Sequence, residues 1–200
     1  MSVINYVHGR YVLNRRVRVL SEHLHPLFPS NAVVLDVGCG DGLITHLCME
    51  KRPDIQSQGI DVLIRNQTYI PVKPFDGQSI PYDDKSVDTV VFVDVLHHTN
   101  DPLLLLREAT RVARQTIILK DHTRDGWLAG ETLRFMDKVG NERHGVALPY
   151  NYWSKQQWLD GFQTLGLHIQ SWQQNLQLYP PPASWLFDRS LHFITQLGIG

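Results

Sequence analysis

Cysteine is scarce in this chain. Cys39 and Cys48 are the two thiols among 200 residues, too few for a disulfide framework or a four-cysteine zinc site. Charge of one sign is not in surplus either. The 19 basic and 20 acidic residues leave a formal net charge of −1, so the field of the whole chain favours neither nucleic acid nor an anionic membrane. No apolar run approaches a membrane span. The stretch from Met1 to Arg16 lacks the apolar segment and small-residue cleavage site of a secretory signal, which makes the cytoplasm the expected compartment and reduced thiols the expected state. Internal repeats and low-complexity segments are missing too. What is present is an ordinary globular composition, 42% hydrophobic and 20% charged, at a length that suits one domain over residues 1–200.

Periodicity divides that domain. Leu13, Val17, Leu20, Leu24 and Leu27 form a helical stripe stopped by Pro29, so residues 1–29 are expected to be a helical N-terminal segment. Ala32 to Val37 is a short apolar strand, and Leu43, Ile44, Leu47 and Cys48 follow at helical spacing. A second strand runs from Ile55 to Ile60, and Tyr69 to Phe75 is an edge strand because Pro71 and Pro74 remove ladder donors. Val87 to Val95 is β-branched almost throughout and reads as a central strand buried on both faces. Asp101 and Pro102 then start a helix, and Thr116 to Lys120 is another strand. Strands alternating with helices imply a mostly parallel, doubly wound sheet over residues 30–120.

The alternation stops after Lys120. Residues 121–153 form a polar and aromatic excursion, read as an insertion or lid. Residues 154–200 open with a capping box, Ser154 and Gln157, before a helix with Trp158, Phe162 and Leu165 inside. Leu167 to Leu176 and Leu191 to Leu197 supply the last two strands, and the prolines 180–182 stiffen the connection between them.

The sharpest chemical signal is Val34-Leu35-Asp36-Val37-Gly38-Cys39-Gly40-Asp41-Gly42, set where a buried strand turns into a helix. Glycines there permit positive φ and close approach of a ligand, and the helix N-terminus that follows offers unpaired N–H groups. The spacing is not G-x-G-x-x-G, and no Gly-Lys-Ser or Gly-Lys-Thr follows, so dinucleotide and P-loop sites are disfavoured. His97 and His98 invite a metal reading, but adjacent side chains are expected to point apart and no third ligand lies at a convincing spacing. No metal is expected. Arg10, Arg15, Arg16 and Arg18 read as a solvated basic face, and His23 and His25 as solvated helix positions.

At this loop the chain resembles the class I S-adenosylmethionine-dependent methyltransferases, whose first motif is an acidic residue and alternate glycines after strand one. The resemblance continues through Gly59-Ile60-Asp61, Phe75-Asp76-Gly77, Ile80-Pro81-Tyr82, Ser86-Val87-Asp88 and Leu96-His97-His98, in the order of the methyltransferase type 11 branch. It implies a Rossmann-like, doubly wound, mostly parallel sheet of seven strands with helices on both faces and the last strand antiparallel. The implied cofactor is S-adenosylmethionine. Gly38, Cys39, Gly40, Gly42 and Val62 would be among the residues that bind it, with Asp36 near its methionine amino group and Asp61 accepting from its ribose hydroxyls. Asp76 and Gly77 would meet the adenine, while Val93, Asp94 and His97 would line the floor.

The same resemblance places the methyl acceptor against residues 121–153, where His122 or His144 would be the general base if the acceptor must lose a proton. The acceptor is expected to be a small molecule and the assembly a monomer or homodimer. No nucleic-acid partner is expected, because the charge is balanced and Asp94-Val95-Leu96-His97 lacks the Asp-Pro-Pro-Tyr type of motif that serves exocyclic amino groups of bases. The competing readings are an RNA or protein methyltransferase and a non-catalytic module that binds the cofactor.

Overall fold

The computed structural model describes residues 3–141, 149–188 and 190–200, with the backbone alone for 3–13, 137 and 139–141. The elements run α1 (Val3–Leu24), β1 (Val33–Val37), α2 (Leu43–Lys51), β2 (Gln56–Asp61), β3 (Val72–Pro74), β4 (Val87–Val93) and α3 (Pro102–Val112). After them come β5 (Ala113–His122), α4 (Ala129–Asn141), α5 (Lys155–Thr164), β6 (Leu167–Gln174), α6 (Ala183–Phe187) and β7 (His192–Ile199).

One sheet of seven strands has the order β3-β2-β1-β4-β5-β7-β6. The pairs from β3 to β5 are parallel, and β7 runs antiparallel to both β5 and β6. The chain leaves β1 towards β2 and β3, then returns to lay β4 on the other side of β1. Strand order therefore reverses between β1 and β4, which opens a crevice at their carboxyl ends.

Alternation along the strands builds a core on each face. Leu35, Val37, Val90 and Phe92 pack with Leu105, Leu106 and Ala109 of α3 and with Trp158 and Phe162 of α5. Val34, Val91 and Ile118 point the other way, against Leu20 and Leu24 of α1 and Cys48 of α2. Asp101 caps α3 by accepting the Leu103 N–H at 3.0 Å, and Ser154 and Gln157 form the reciprocal capping box of α5.

The structure departs from the sequence expectation in three places. β5 continues past Lys120, so Asp121 and His122 are ladder residues opposite Phe193 and His192. The excursion after β5 contains α4, whose Ala129 and Leu133 are buried with Tyr152 and Leu191 while Met136 packs beside them. Glycines at 126, 130 and 140 weaken the intrinsic helical signal of that stretch, and packing overrides them. The proline connection carries the short helix α6.

Candidate functional site

The glycine loop closes on itself through geometry that side chains would block. Gly38 has φ +72° and donates to the Ile60 carbonyl at 2.8 Å; Gly42 has φ +75° and caps α2. A Cβ on Gly42 would lie 2.4 Å from Ile70 Cγ1, so nothing larger fits without displacing that side chain. Gly40, by contrast, faces space: a Cβ there would meet no heavy atom within 4 Å.

Asp61 stands at the end of β2 with each carboxylate oxygen already aimed. Oδ2 accepts the Gly40 N–H and Oδ1 the Leu63 N–H, both at 2.8 Å. A carboxylate oxygen has a second lone pair, so both can still accept from a ligand. Asp76 uses Oδ1 for the N–H groups of Gln78 and Ser79, each at 2.7 Å. Those backbone bonds, Ser79 first, hold its carboxyl below the usual range.

These groups face one cavity of about 650 Å³, within the size range of small-molecule sites. Of the residues implicated by the sequence, Gly38, Gly40, Asp61, Val62, Asp76, Gly77 and Asp94 line it, joined by Arg65, Gln78, Val95, His98, Thr99 and Asn100. Asp36, Cys39, Gly42, Val93, His97 and His122 belong to the packing around the cavity rather than to its lining. His144 lies outside the described residues. Asp36 is buried beneath the loop, where it accepts the Thr45 hydroxyl at 2.6 Å; burial pushes its carboxyl up to about 7.

The floor is a network of charges in which Lys120 and Asp121 are buried and Asp94 and Arg16 half-buried. Asp94, at φ +58° just beyond β4, receives Lys120 from β5 and Arg16 from α1. Burial opposes the Asp94 charge, but these cations outweigh it and hold the carboxyl far below its usual range. Asp121 Oδ1 lies 2.6 Å from His97 Nδ1 and accepts the His122 N–H at 2.8 Å, while Oδ2 accepts the Leu96 N–H at 3.1 Å. Burial, then the Lys120 charge, depresses His122 well below the ordinary histidine value, so the ring is neutral at pH 7.

Two features here were not legible from spacing. His97 and His98 do not point apart: a 3-10 turn over Leu96–His98 leaves their rings 4.0 Å apart. Arg16, expected on a solvated face, reaches into the site. Asp94, His97 and His122 also present ligand atoms within 4.8 Å of one another. A cation there would compete with Arg16 and Lys120 for Asp94, and like charges oppose it.

The cavity at a strand-order reversal, the cradle of positive-φ glycines and the carboxylate ending β2 suit S-adenosylmethionine. Gly40 leaves room for close approach, and Asp61 and Asp76 offer acceptors at two points. Residues 35–119 match the family model described as "Methyltransferase domain". The matched stretch is 85 of the 200 residues, and over it the chain is similar to a methyltransferase domain.

Solved structures agree on the fold of the chain. A chain in the complex of the Haloferax volcanii Trm112 methyltransferase activator with a methyltransferase superposes with TM-score 0.67 at 18% identity, covering 96% of this chain and 93% of that one. A SAM-dependent methyltransferase from Aquifex aeolicus gives 0.62 at 16% identity, covering 90% and 89%.

Two curated relatives are similar in sequence. One, the tRNA U34 carboxymethyltransferase of Nautilia profundicola, is 31% identical over 90 residues, which are 39% of this chain and 29% of the relative. The other, the 25S rRNA (adenine(645)-N(1))-methyltransferase of Schizosaccharomyces pombe, is 28% identical over 126 residues, 63% of this chain and 36% of the relative. The chain thus spans about a third of the length of these relatives.

Their names overturn the expectation that nucleic acid has no place here, since both are named for RNA. Net charge averages over the whole surface and is blind to a local site. The missing Asp-Pro-Pro-Tyr motif concerns exocyclic amino groups, whereas N(1) in the second name is a ring nitrogen. Among the described residues, no helix is long and apolar enough to cross a membrane.

Proposed function

We propose that this chain is an S-adenosylmethionine-dependent methyltransferase that methylates a polar nucleophile presented at the Asp94–His98 edge of the cavity. The observation that carries the reading is the position of Asp94: it lines the cavity, and Arg16 and Lys120 keep it ionised. An ionised carboxylate accepts a hydrogen bond from an N–H or O–H group and so can orient that nucleophile for in-line attack.

The nucleoside end of the cofactor would lie over Asp61 and Asp76, and its methionine part beside Gly38 and Gly40. When bound, S-adenosylmethionine supplies a methyl group already activated on a sulfonium. Asp36, near half-protonation at neutral pH, would hold the start of α2 through Thr45 rather than touch the ligand. His98 lines the cavity and is the better placed histidine to take a proton from the acceptor; His122 would act from the buried network behind it.

A small-molecule acceptor is supported by the concave, partly apolar edge formed by Val95, His98, Thr99 and Leu104. An RNA acceptor is the second reading, favoured by the names of the two curated relatives. The deciding experiment supplies radiolabelled methyl donor with tRNA, rRNA and a small-metabolite extract in parallel. Label in one pool that disappears with Asp61→Ala identifies the carrier, and no label in any pool, with cofactor bound, contradicts catalysis.

A further inference from the structure

We propose that Asp36 lets the site tell the methyl donor from its demethylated product by charge, ionised beneath the donor and protonated beneath the product. The proposal rests on the reading of the cavity as the cofactor site and adds to it a residue that does not line it.

Asp36 brings a carboxyl group into the core. It lies in β1 two residues before Gly38, is 4% exposed, and pairs in register with Gly59 of β2 and Val91 of β4. Among the described residues it has no ion pair, and its one hydrogen-bonded side chain is Thr45 in the first turn of α2, whose hydroxyl donates at 2.6 Å. The nearest charges are of its own sign: Asp61 from β2 and Asp41 from the glycine loop both oppose its ionisation. Two thiols stand close by, Cys39 of the loop and Cys48 of α2, and burial keeps both protonated, with Cys48 pushed up to about 12. A buried carboxylate without a cation must either hold its proton or acquire a cation from a ligand.

The donor is that cation. S-adenosylmethionine carries a sulfonium and an ammonium against one carboxylate. On methyl transfer the acceptor atom bonds to the methyl carbon, and the carbon–sulfur bond breaks with its electron pair left on sulfur, so the product is a neutral thioether. Donor and product differ only by this methyl group and this charge, and the charge acts at a distance. The glycine loop is what separates Asp36 from the ligand: Gly38 and Gly40 line the cavity, and Asp61, whose charge reaches Asp36, accepts the Gly40 N–H at 2.8 Å. With the donor bound, Asp36 releases its proton to solvent; once the sulfonium charge is gone, Asp36 takes a proton back. The ionised carboxylate thus favours the donor, and its reprotonation removes that advantage from the spent product.

The test is calorimetric titration of the full chain with S-adenosylmethionine and with S-adenosylhomocysteine, in two buffers of different ionisation enthalpy. Near pH 7, donor binding is expected to release about half a proton more than product binding. The preference for donor over product should rise about 10-fold between about pH 5.5 and 7.5, equivalent to one pK unit of coupling. Asp36→Asn should flatten that rise. Thr45→Val removes the hydrogen bond that favours the charged form of Asp36, so it should move the rise to higher pH. His98 also lines the cavity, and a histidine losing its charge over this range would favour the donor too, but that contribution survives Asp36→Asn.

Equal proton release with the two ligands, or a preference independent of pH in wild type, overturns the proposal. So does a rise that persists undiminished in folded Asp36→Asn, or that stays in place in Thr45→Val. Any of these results, obtained with both ligands bound and their affinity lost in Asp61→Ala, removes the role of Asp36 and leaves the cavity assignment standing. Wild type that binds neither ligand overturns both.

Discussion

The carboxylate of Asp61 accepts the backbone N–H of Gly40 at 2.8 Å, so the end of β2 and the loop after β1 are one rigid object. The bond lets one side chain both hold the loop and face the cavity. Through it, the two motifs furthest apart in their apparent roles, a turn and an acid, become a single binding surface.

The glycines of that loop should separate by what surrounds them. Gly42→Ala introduces positive-φ strain and a clash with Ile70, and should cost about 2–4 kcal/mol of stability in urea denaturation. Gly40→Ala meets no neighbour and should cost about 1 kcal/mol, for the backbone alone, while weakening cofactor binding. Equal losses of stability would show that the loop geometry is misread.

Asp36 makes stability depend on pH in an unusual direction. Its folded pKa of about 7 lies above the unfolded 3.8, so the folded state holds the proton more tightly. The stabilisation is full below pH 4 and is lost as pH rises through 7, on the order of 2–4 kcal/mol. Asp36→Asn should remove this trend. Denaturation curves for both proteins at pH 5 and pH 8 measure it, and an unchanged pH slope in the variant contradicts the burial argument.

Lys120 and Asp94 should be strongly coupled. Lys120→Met leaves a half-buried carboxylate short of a partner and should destabilise by about 3 kcal/mol. Lys120→Met/Asp94→Asn should recover part of that loss, with a coupling above about 1 kcal/mol in the double-mutant cycle. Additive effects would mean that the two side chains do not form the pair.

The two histidines should differ once an acceptor is known. His98→Ala is expected to lower turnover by about 100-fold or more, with cofactor affinity unchanged, if the nucleophile must lose a proton. His122→Ala should act on stability first, because its ring is buried against Asp121. Turnover unaffected by His98→Ala but abolished by His122→Ala in folded protein would return the base to His122.

The glycine loop, Asp61 and the alternating strands were legible because local spacing determines them. The loop is a turn, Asp61 ends a strand, and a parallel sheet leaves a run such as Val87 to Val93. The charge network was not legible. Arg16, Asp94 and Lys120 come from α1, the end of β4 and β5, and only the tertiary arrangement brings them together. Arg16 on its own reads as one more cation on a helix. The fate of His97 and His98 turned on a 3-10 turn of three residues, too short to leave a periodic signal. For α4, the inward positions Ala129, Leu133 and Met136 do carry helical spacing, but Gly126, Gly130 and Gly140 mask it.

The most direct test of the account is calorimetric titration of the folded protein with S-adenosylhomocysteine, the demethylated product, for wild type and Asp61→Ala. One site is expected, with affinity lowered by about 1.5–3 kcal/mol in the variant through loss of charge-assisted hydrogen bonds. No heat from wild type at about millimolar ligand, an affinity limit near −4 kcal/mol, or identical affinities in the two proteins, would contradict the assignment of this cavity to the methyl donor.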